Sequence, residues 1–195
     1  ESEETKKFAV SVLNHMREKL IGYQMEYGNL YGLEATPAES ATFRFARLDR
    51  ERFSGIRTAG HEGDTPYYTN STKLPADYDG TLQGALINQD SLQPLYTTGT
   101  VFHVYMEREL EDWKKARDLL SSMITEHHIP CFTLSPVYTI CQTCGYLPGR
   151  QERCPKCNGA ADVYSRIAGY YRPVHDWNDG KAQEFRNRIM FRIGE

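Results

Sequence analysis

No apolar run in this chain approaches the ~20 residues needed to cross a bilayer, and the mean hydropathy is −0.62. An integral membrane protein is excluded on that ground. The opening residues lack the charged-then-apolar order of a secretory signal. Positive charge is not in excess either. The net charge is −3 and the isoelectric point near 6.1, which argues against a broad basic surface for nucleic acid. Internal repeats and low-complexity tracts are missing. Cysteine is scarce, at five residues, and four of the five fall between positions 141 and 157. A secreted disulfide framework would scatter them, so a reducing, cytoplasmic setting with metal-held thiolates is expected. What is present suffices for a core: 195 residues, 39% apolar and 25% charged, which excludes disorder. The first residue is Glu rather than Met, so the chain is read as processed or as a piece of something longer.

Apolar residues at three- and four-residue steps (Phe8, Val12, Met16, Leu20, Tyr23) predict an amphipathic helix over residues 2–27, stopped by Gly28-Asn29. Thr36-Pro37-Ala38-Glu39 reads as a helix start, with Thr36 at N-cap, Pro37 at N1 and Glu39 closing a capping box, the helix running to about Arg52. Residues 54–98 are rich in Gly, Pro, Asn, Asp and Thr and read as long loops with short strands. A strand at 98–106, a helix at 108–127 and a buried strand at 129–138 form a βαβ unit, which requires a parallel pairing.

Cys141-x-x-Cys144 and Cys154-x-x-Cys157 are two facing knuckles. Four thiolates suit tetrahedral Zn²⁺, and Gly145 and Gly159 allow the tight turns. Redox pairs and an iron–sulfur centre are the competing readings. With all ligand positions filled by protein the site is structural, a staple for the tail. Cys131, on an apolar strand, reads as buried and inert.

Beyond the knuckle the chain carries Arg166-Ile-Ala-Gly169-Tyr170, then Trp177-Asn178 and Gly180-Lys181. Together with Leu33-Glu-Ala-Thr-Pro-Ala-Glu39, Tyr67-Tyr-Thr-Asn-Ser-Thr72 and Gly99-Thr100 to His103, this resembles the C-terminal portion of anaerobic (class III) ribonucleotide reductases, over essentially the whole chain. The resemblance implies an α/β fold. It would be part of a glycyl-radical-enzyme β/α barrel (1–138), followed by a four-cysteine zinc ribbon (139–160) and a glycyl-radical loop and tail (161–195). It implies that Gly169 stores a radical installed by a radical-SAM activase, since only glycine leaves its Cα–H unobstructed. A Cβ at that position is expected to crowd Cα and to disfavour any positive φ. The family's thiyl cysteine and its regulatory domain have no match here, so an N-terminal part of the reductase is an implied partner, with ribonucleoside triphosphate as substrate and an oligomer as the assembly.

Substrate candidates are Thr36, Pro37 and Ala38, where a helix N-terminus favours phosphate, and the loop Tyr68, Thr69, Asn70 and Ser71. Capping alone accounts for the first group and a surface turn for the second. His103 reads as a core histidine. Lys73, Arg166 and Arg172 can meet a triphosphate or be solvated surface. Two other functions stay open: a zinc-ribbon binding module, and a spare-part glycyl-radical protein serving another enzyme.

Overall fold

The computed structural model describes residues 3–193; Glu1, Ser2, Gly194 and Glu195, which the expected first helix and tail include, lie outside the described residues. It is a mixed α/β structure with the helices α1 (Glu3–Tyr27), α2 (Glu39–Arg52), α3 (Leu82–Asp90), α4 (Trp113–Glu126) and α5 (Asp179–Asn187). The strands are β1 (Phe102–Met106), β2 (Phe132–Pro136), β3 (Tyr138–Cys141), β4 (Gly145–Pro148), β5 (Ala161–Arg166) and β6 (Tyr171–Pro173).

β1 and β2 pair in parallel, Phe102 opposite Phe132 through Met106 opposite Pro136. The crossover between them is α4, which begins where the Asp112 side chain accepts a hydrogen bond from the Lys114 N–H. Alternate residues of β1 are buried (Phe102, Val104, Met106) and join Ala85, Leu86, Met123 and Ile129 in the main core. Only Val137 separates β2 from β3, so the parallel pair runs directly into an antiparallel sheet of order β4-β3-β5-β6. The cysteine turns begin at that sheet's end: Cys141 closes β3, opposite Gly145 on one side and Ala161 on the other.

The α1 helix ends as expected, with Gly28 at φ +68° and its N–H on the Gln24 carbonyl. Its buried side differs from the expected stripe. Ala9, Val10, Leu13 and Leu20 face Leu33, Leu92 and Tyr96, while Phe8 stands 70% exposed and Val12, Met16 and Tyr23 also face solvent.

The expected capping box does not form. α2 starts three residues after Thr36, with Ala38 at N-cap and no side-chain cap. The segment before it is held extended alongside residues 97–99: Ala35 donates to the Gly99 carbonyl, and Thr97 and Thr98 donate to that of Leu33. Pro37 further disfavours a helical Thr36. The cap comes from another loop, where Asn70 Oδ1 accepts the Ala38 N–H at 3.1 Å.

Residues 54–98 are also more ordered than their composition suggests. α3 lies within them, capped by the Thr81 side chain, which accepts from Gly84 N. α2 and α5 meet at Gly180, where a Cβ would fall 2.6 Å from that of Phe43, so only glycine allows this approach.

Candidate active site and metal centre

The four knuckle sulfurs lie within 4.8 Å of one another, with Cys141 and Cys157 Sγ 3.6 Å apart. A tetrahedral Zn–S distance of ~2.3 Å places sulfurs ~3.8 Å apart, so the donor set fits that ion. Each knuckle is a tight turn. Gly145 takes φ +79° after the first, and Asn158, a residue tolerant of the left-handed region, takes φ +58° after the second. As thiols the sulfurs compete for protons: hydrogen bonding with Cys157, then Cys154, pushes the Cys144 thiol up to about 12. A bound cation removes that conflict by displacing the protons.

Cys131 is exposed, contrary to its expected burial. It precedes β2 and contributes its carbonyl, which accepts the Phe102 N–H at 2.9 Å, rather than its side chain.

At the opposite end of the antiparallel sheet, β5 and β6 form a hairpin closed by Ile167 N–H on the Tyr170 carbonyl at 3.1 Å. Gly169 lies at its exposed tip. A Cβ built there meets nothing within 4 Å, and φ is not in the left-handed region. The expectation that a side chain would strain this loop is therefore corrected: conformation alone does not demand glycine here. Arg166 holds the tip, donating from Nη1 to the Gly169 carbonyl at 2.6 Å and from Nε to Ser135 Oγ at 3.1 Å.

Ile167 and Ala168, immediately before Gly169, line a cavity of about 100 Å³. Of the expected substrate residues Pro37, Thr69 and Asn70 line it as well. Thr36, Ala38, Tyr68 and Ser71 do not: Ala38 is tied to Asn70, the Tyr68 hydroxyl donates to Asp49 at 2.9 Å, and Ser71 sits in a turn at φ +50°. Tyr67, not Tyr68, faces inward; it is 2% exposed, and burial pushes its hydroxyl up to about 12.

The cavity's charge comes largely from the tail. Lys181 Nζ contacts Glu184 at 2.6 Å and Arg188 Nη2 contacts the same carboxylate at 3.1 Å. Arg188 also donates to Ser165 Oγ and the Arg166 carbonyl, and its guanidinium stacks 3.7 Å from the Tyr105 ring centroid. Lys73 joins them from the Asn70 loop, and burial, then Lys181, lowers its pKa. Three cations thus face one carboxylate, a net positive lining suited to an anion. Arg172 points elsewhere, toward Asp176 at 3.9 Å, on the surface.

His103 also lines this cavity rather than a closed core. Its Nδ1 lies 2.8 Å from Thr133 Oγ1, its partner in the parallel register. Burial first, then Lys73 and Arg166, lowers its pKa to about 3, so the imidazole is neutral. The sequence signal for the tail residues was their spacing: Lys181, Glu184 and Arg188 sit at steps of three and four, the pattern of helical ion pairs. Their meeting with Lys73 is visible only in three dimensions.

Comparison with known proteins gives the family. The sequence profile of the family described as anaerobic ribonucleoside-triphosphate reductase matches residues 1–191. The reductase of that name from Haemophilus influenzae is 24% identical over 97% of this chain and 28% of its own length. That of Enterobacteria phage T4 is 25% identical over 91% of this chain and 30% of its own. Among solved structures, an anaerobic ribonucleotide reductase superposes with a TM-score of 0.79 at 22% identity, over 97% of this chain and 29% of that one. The Thermotoga maritima enzyme in complex with dATP and CTP gives 0.73 at 22% identity, over 94% and 29%. The chain spans less than a third of these relatives' length. With nearly every residue matched and the knuckle, the glycine hairpin and the cavity all within that match, the chain belongs to the anaerobic ribonucleoside-triphosphate reductase family.

Proposed function

We propose that this chain is the radical-bearing C-terminal part of an anaerobic ribonucleotide reductase, which converts ribonucleoside triphosphates to deoxyribonucleotides. Gly169 stores the radical, and a radical-SAM activase installs it by removing a hydrogen atom from Cα. The observation that carries the reading is the position of Gly169. It tops a hairpin whose preceding residues, Ile167 and Ala168, line the same cationic cavity as Thr69, Asn70 and His103. A radical stored there is adjacent to a place that attracts triphosphate.

In this reading residues 1–138 are the C-terminal half of a β/α barrel, 139–160 a zinc ribbon and 161–195 the radical loop and tail. Cys141, Cys144, Cys154 and Cys157 hold Zn²⁺, which when bound supplies a fixed cross-link and no open coordination site. Lys73, Lys181 and Arg188 draw the phosphates in, while Pro37, Thr69 and Asn70 line the nucleotide's path. The thiyl cysteine that acts on the ribose belongs to an N-terminal part of the reductase, and the assembly is a cytoplasmic oligomer. Among the described residues no helix is long and apolar enough to cross a membrane.

The test is electron paramagnetic resonance after anaerobic incubation with a radical-SAM activase. A doublet present in the wild type and lost in Gly169→Ala supports the assignment. A doublet that persists in Gly169→Ala assigns the radical elsewhere.

A further inference from the structure

The Gly169 carbonyl and the cavity are joined by an unbroken line of hydrogen-bonding side chains. Arg166 Nη1 donates to Gly169 O at 2.6 Å, and Arg166 Nε to Ser135 Oγ at 3.1 Å. Ser135 Oγ lies 3.0 Å from Thr133 Oγ1, and Thr133 Oγ1 lies 2.8 Å from His103 Nδ1. His103 lines the cavity.

The backbone accounts for the alignment. Thr133 and Ser135 are two apart on β2 and share one face, and Thr133 is the register partner of His103 on β1. Ser135 is fully buried. The ring of Tyr171 lies 4.9 Å from the Arg166 guanidinium, so the arginine is held by the ring as well as by Ser135 and the Gly169 carbonyl. An ordinary hairpin of this length is closed by its own backbone, as Ile167 and Tyr170 already do here. The guanidinium on the glycine carbonyl is additional.

We infer that Arg166, Ser135, Thr133 and His103 form a positioning line that orients the Gly169 carbonyl and couples it to an anionic nucleotide in the cavity. The inference rests on the reading of Gly169 as the radical site. A radical at Cα is shared between the flanking amide nitrogen and carbonyl. A cation hydrogen-bonded to the carbonyl oxygen stabilises the form with negative charge on that oxygen and moves spin off Cα, in the manner of a charge-assisted hydrogen bond. A nucleotide that shifts His103 passes a displacement through two hydroxyls and the guanidinium to that oxygen. These four are positioning residues, acting through the glycine.

The experiment is paramagnetic resonance on the anaerobically activated, assembled reductase, with CTP as probe, for wild type, Arg166→Met, Arg166→Lys and Thr133→Val. Wild type gives a doublet whose splitting changes on saturation with CTP. In Arg166→Met the splitting widens and the radical half-life falls roughly three- to tenfold, the loss of one charge-assisted hydrogen bond at an exposed site. Arg166→Lys restores the half-life, because Nζ can reach the carbonyl, but not the CTP response, because the link to Ser135 is gone. Thr133→Val keeps the wild-type doublet and half-life and loses the CTP response; being isosteric, it decides the matter even if Arg166→Met fails to fold. An Arg166→Met radical identical to wild type, a wild type blind to CTP, or a Thr133→Val protein that keeps the full response overturns the inference. Absence of any doublet in the wild type instead overturns the Gly169 reading itself.

Discussion

Glu184→Gln tests the electrostatics of the cavity most directly. The carboxylate is 13% exposed and meets Lys181 at 2.6 Å and Arg188 at 3.1 Å, side chains that are themselves 3% and 1% exposed. At an effective dielectric near 20, each contact contributes on the order of 5–6 kcal/mol before desolvation. Most of that is offset, because the neutral amide no longer has an ion to bury. Removing one partner of a buried ionic cluster still leaves the others uncompensated, at about 3–5 kcal/mol. Here two cations lose their common counter-charge and Lys73 stands nearby, so a net loss of about 4 kcal/mol is expected. For a chain of this length that lowers Tm by about 8–16 °C, read by circular dichroism in anaerobic reducing buffer. Inorganic triphosphate should restore part of the loss, about 2.7 kcal/mol at a hundredfold excess over its Kd, because the variant cavity is more positive. A Tm within about 2 °C of wild type, less than the shift that ~1 kcal/mol produces, refutes the network as a source of stability. A loss that triphosphate leaves untouched refutes the cavity as an anion site.

The metal centre should bind one Zn²⁺ per chain, and Cys154→Ser should weaken binding while residues 1–130 keep their helical signal; elemental analysis showing iron or no metal in anaerobically purified protein contradicts this. His103 has a folded pKa depressed to about 3, so unfolding takes up a proton below about pH 6.5 and stability falls from there toward pH 3. At about pH 5 its share of the loss is about 2 kcal/mol, and His103→Gln should flatten the denaturation midpoint across that range, whereas an unchanged pH slope removes His103 as its source. Air should cut the activated chain at Gly169, giving a fragment of about 27 residues by intact mass, while unactivated protein and Gly169→Ala stay whole. Because a Cβ there meets nothing, Gly169→Ala should also match the wild-type Tm, so loss of cleavage reports chemistry rather than misfolding.

The parts legible in the sequence are those in which chemistry is local. Two Cys-x-x-Cys turns bring four sulfurs together whatever the rest of the chain does, and the β-branched and aromatic runs around 102–106 and 132–136 pair in parallel as the intervening helix requires. Elements decided by distant neighbours were hidden. The start of α2 is set by Asn70, thirty-two residues away, and by the pinning of Leu33 and Ala35 to residues 97–99, so the local capping box was overruled. α3 carries a glycine in its first turn and polar residues on both sides, and nothing in its periodicity separates it from the loop composition around it. The stripe Phe8, Val12, Met16 and Tyr23 is periodic, but helical spacing does not tell which apolar face turns inward. Within the site, Pro37 was singled out by an expected helix N-terminus that forms two residues later, and Thr69 and Asn70 by a polar loop supported by resemblance, whereas Tyr67 was lost to its neighbour by one position, the step that turns a side chain to the other face of an extended segment.

The antiparallel sheet places the cysteine turns at one end of β5 and the glycine hairpin at the other, and strand stagger is therefore what links them. Ala161 faces Cys141 at the cysteine end, and Arg166 faces Tyr171 at the hairpin end. A slip of one residue between β3 and β5 would carry the tip by ~3.3 Å and invert every side chain, turning Ser165 and Arg166 to each other's faces. Fixing Cys141 and Cys154 on a common ion would forbid that slip from roughly 20 Å away. A bound ion would work as the stop on a slide rule, too remote to touch the glycine and able to decide how far along β3 the tip stands.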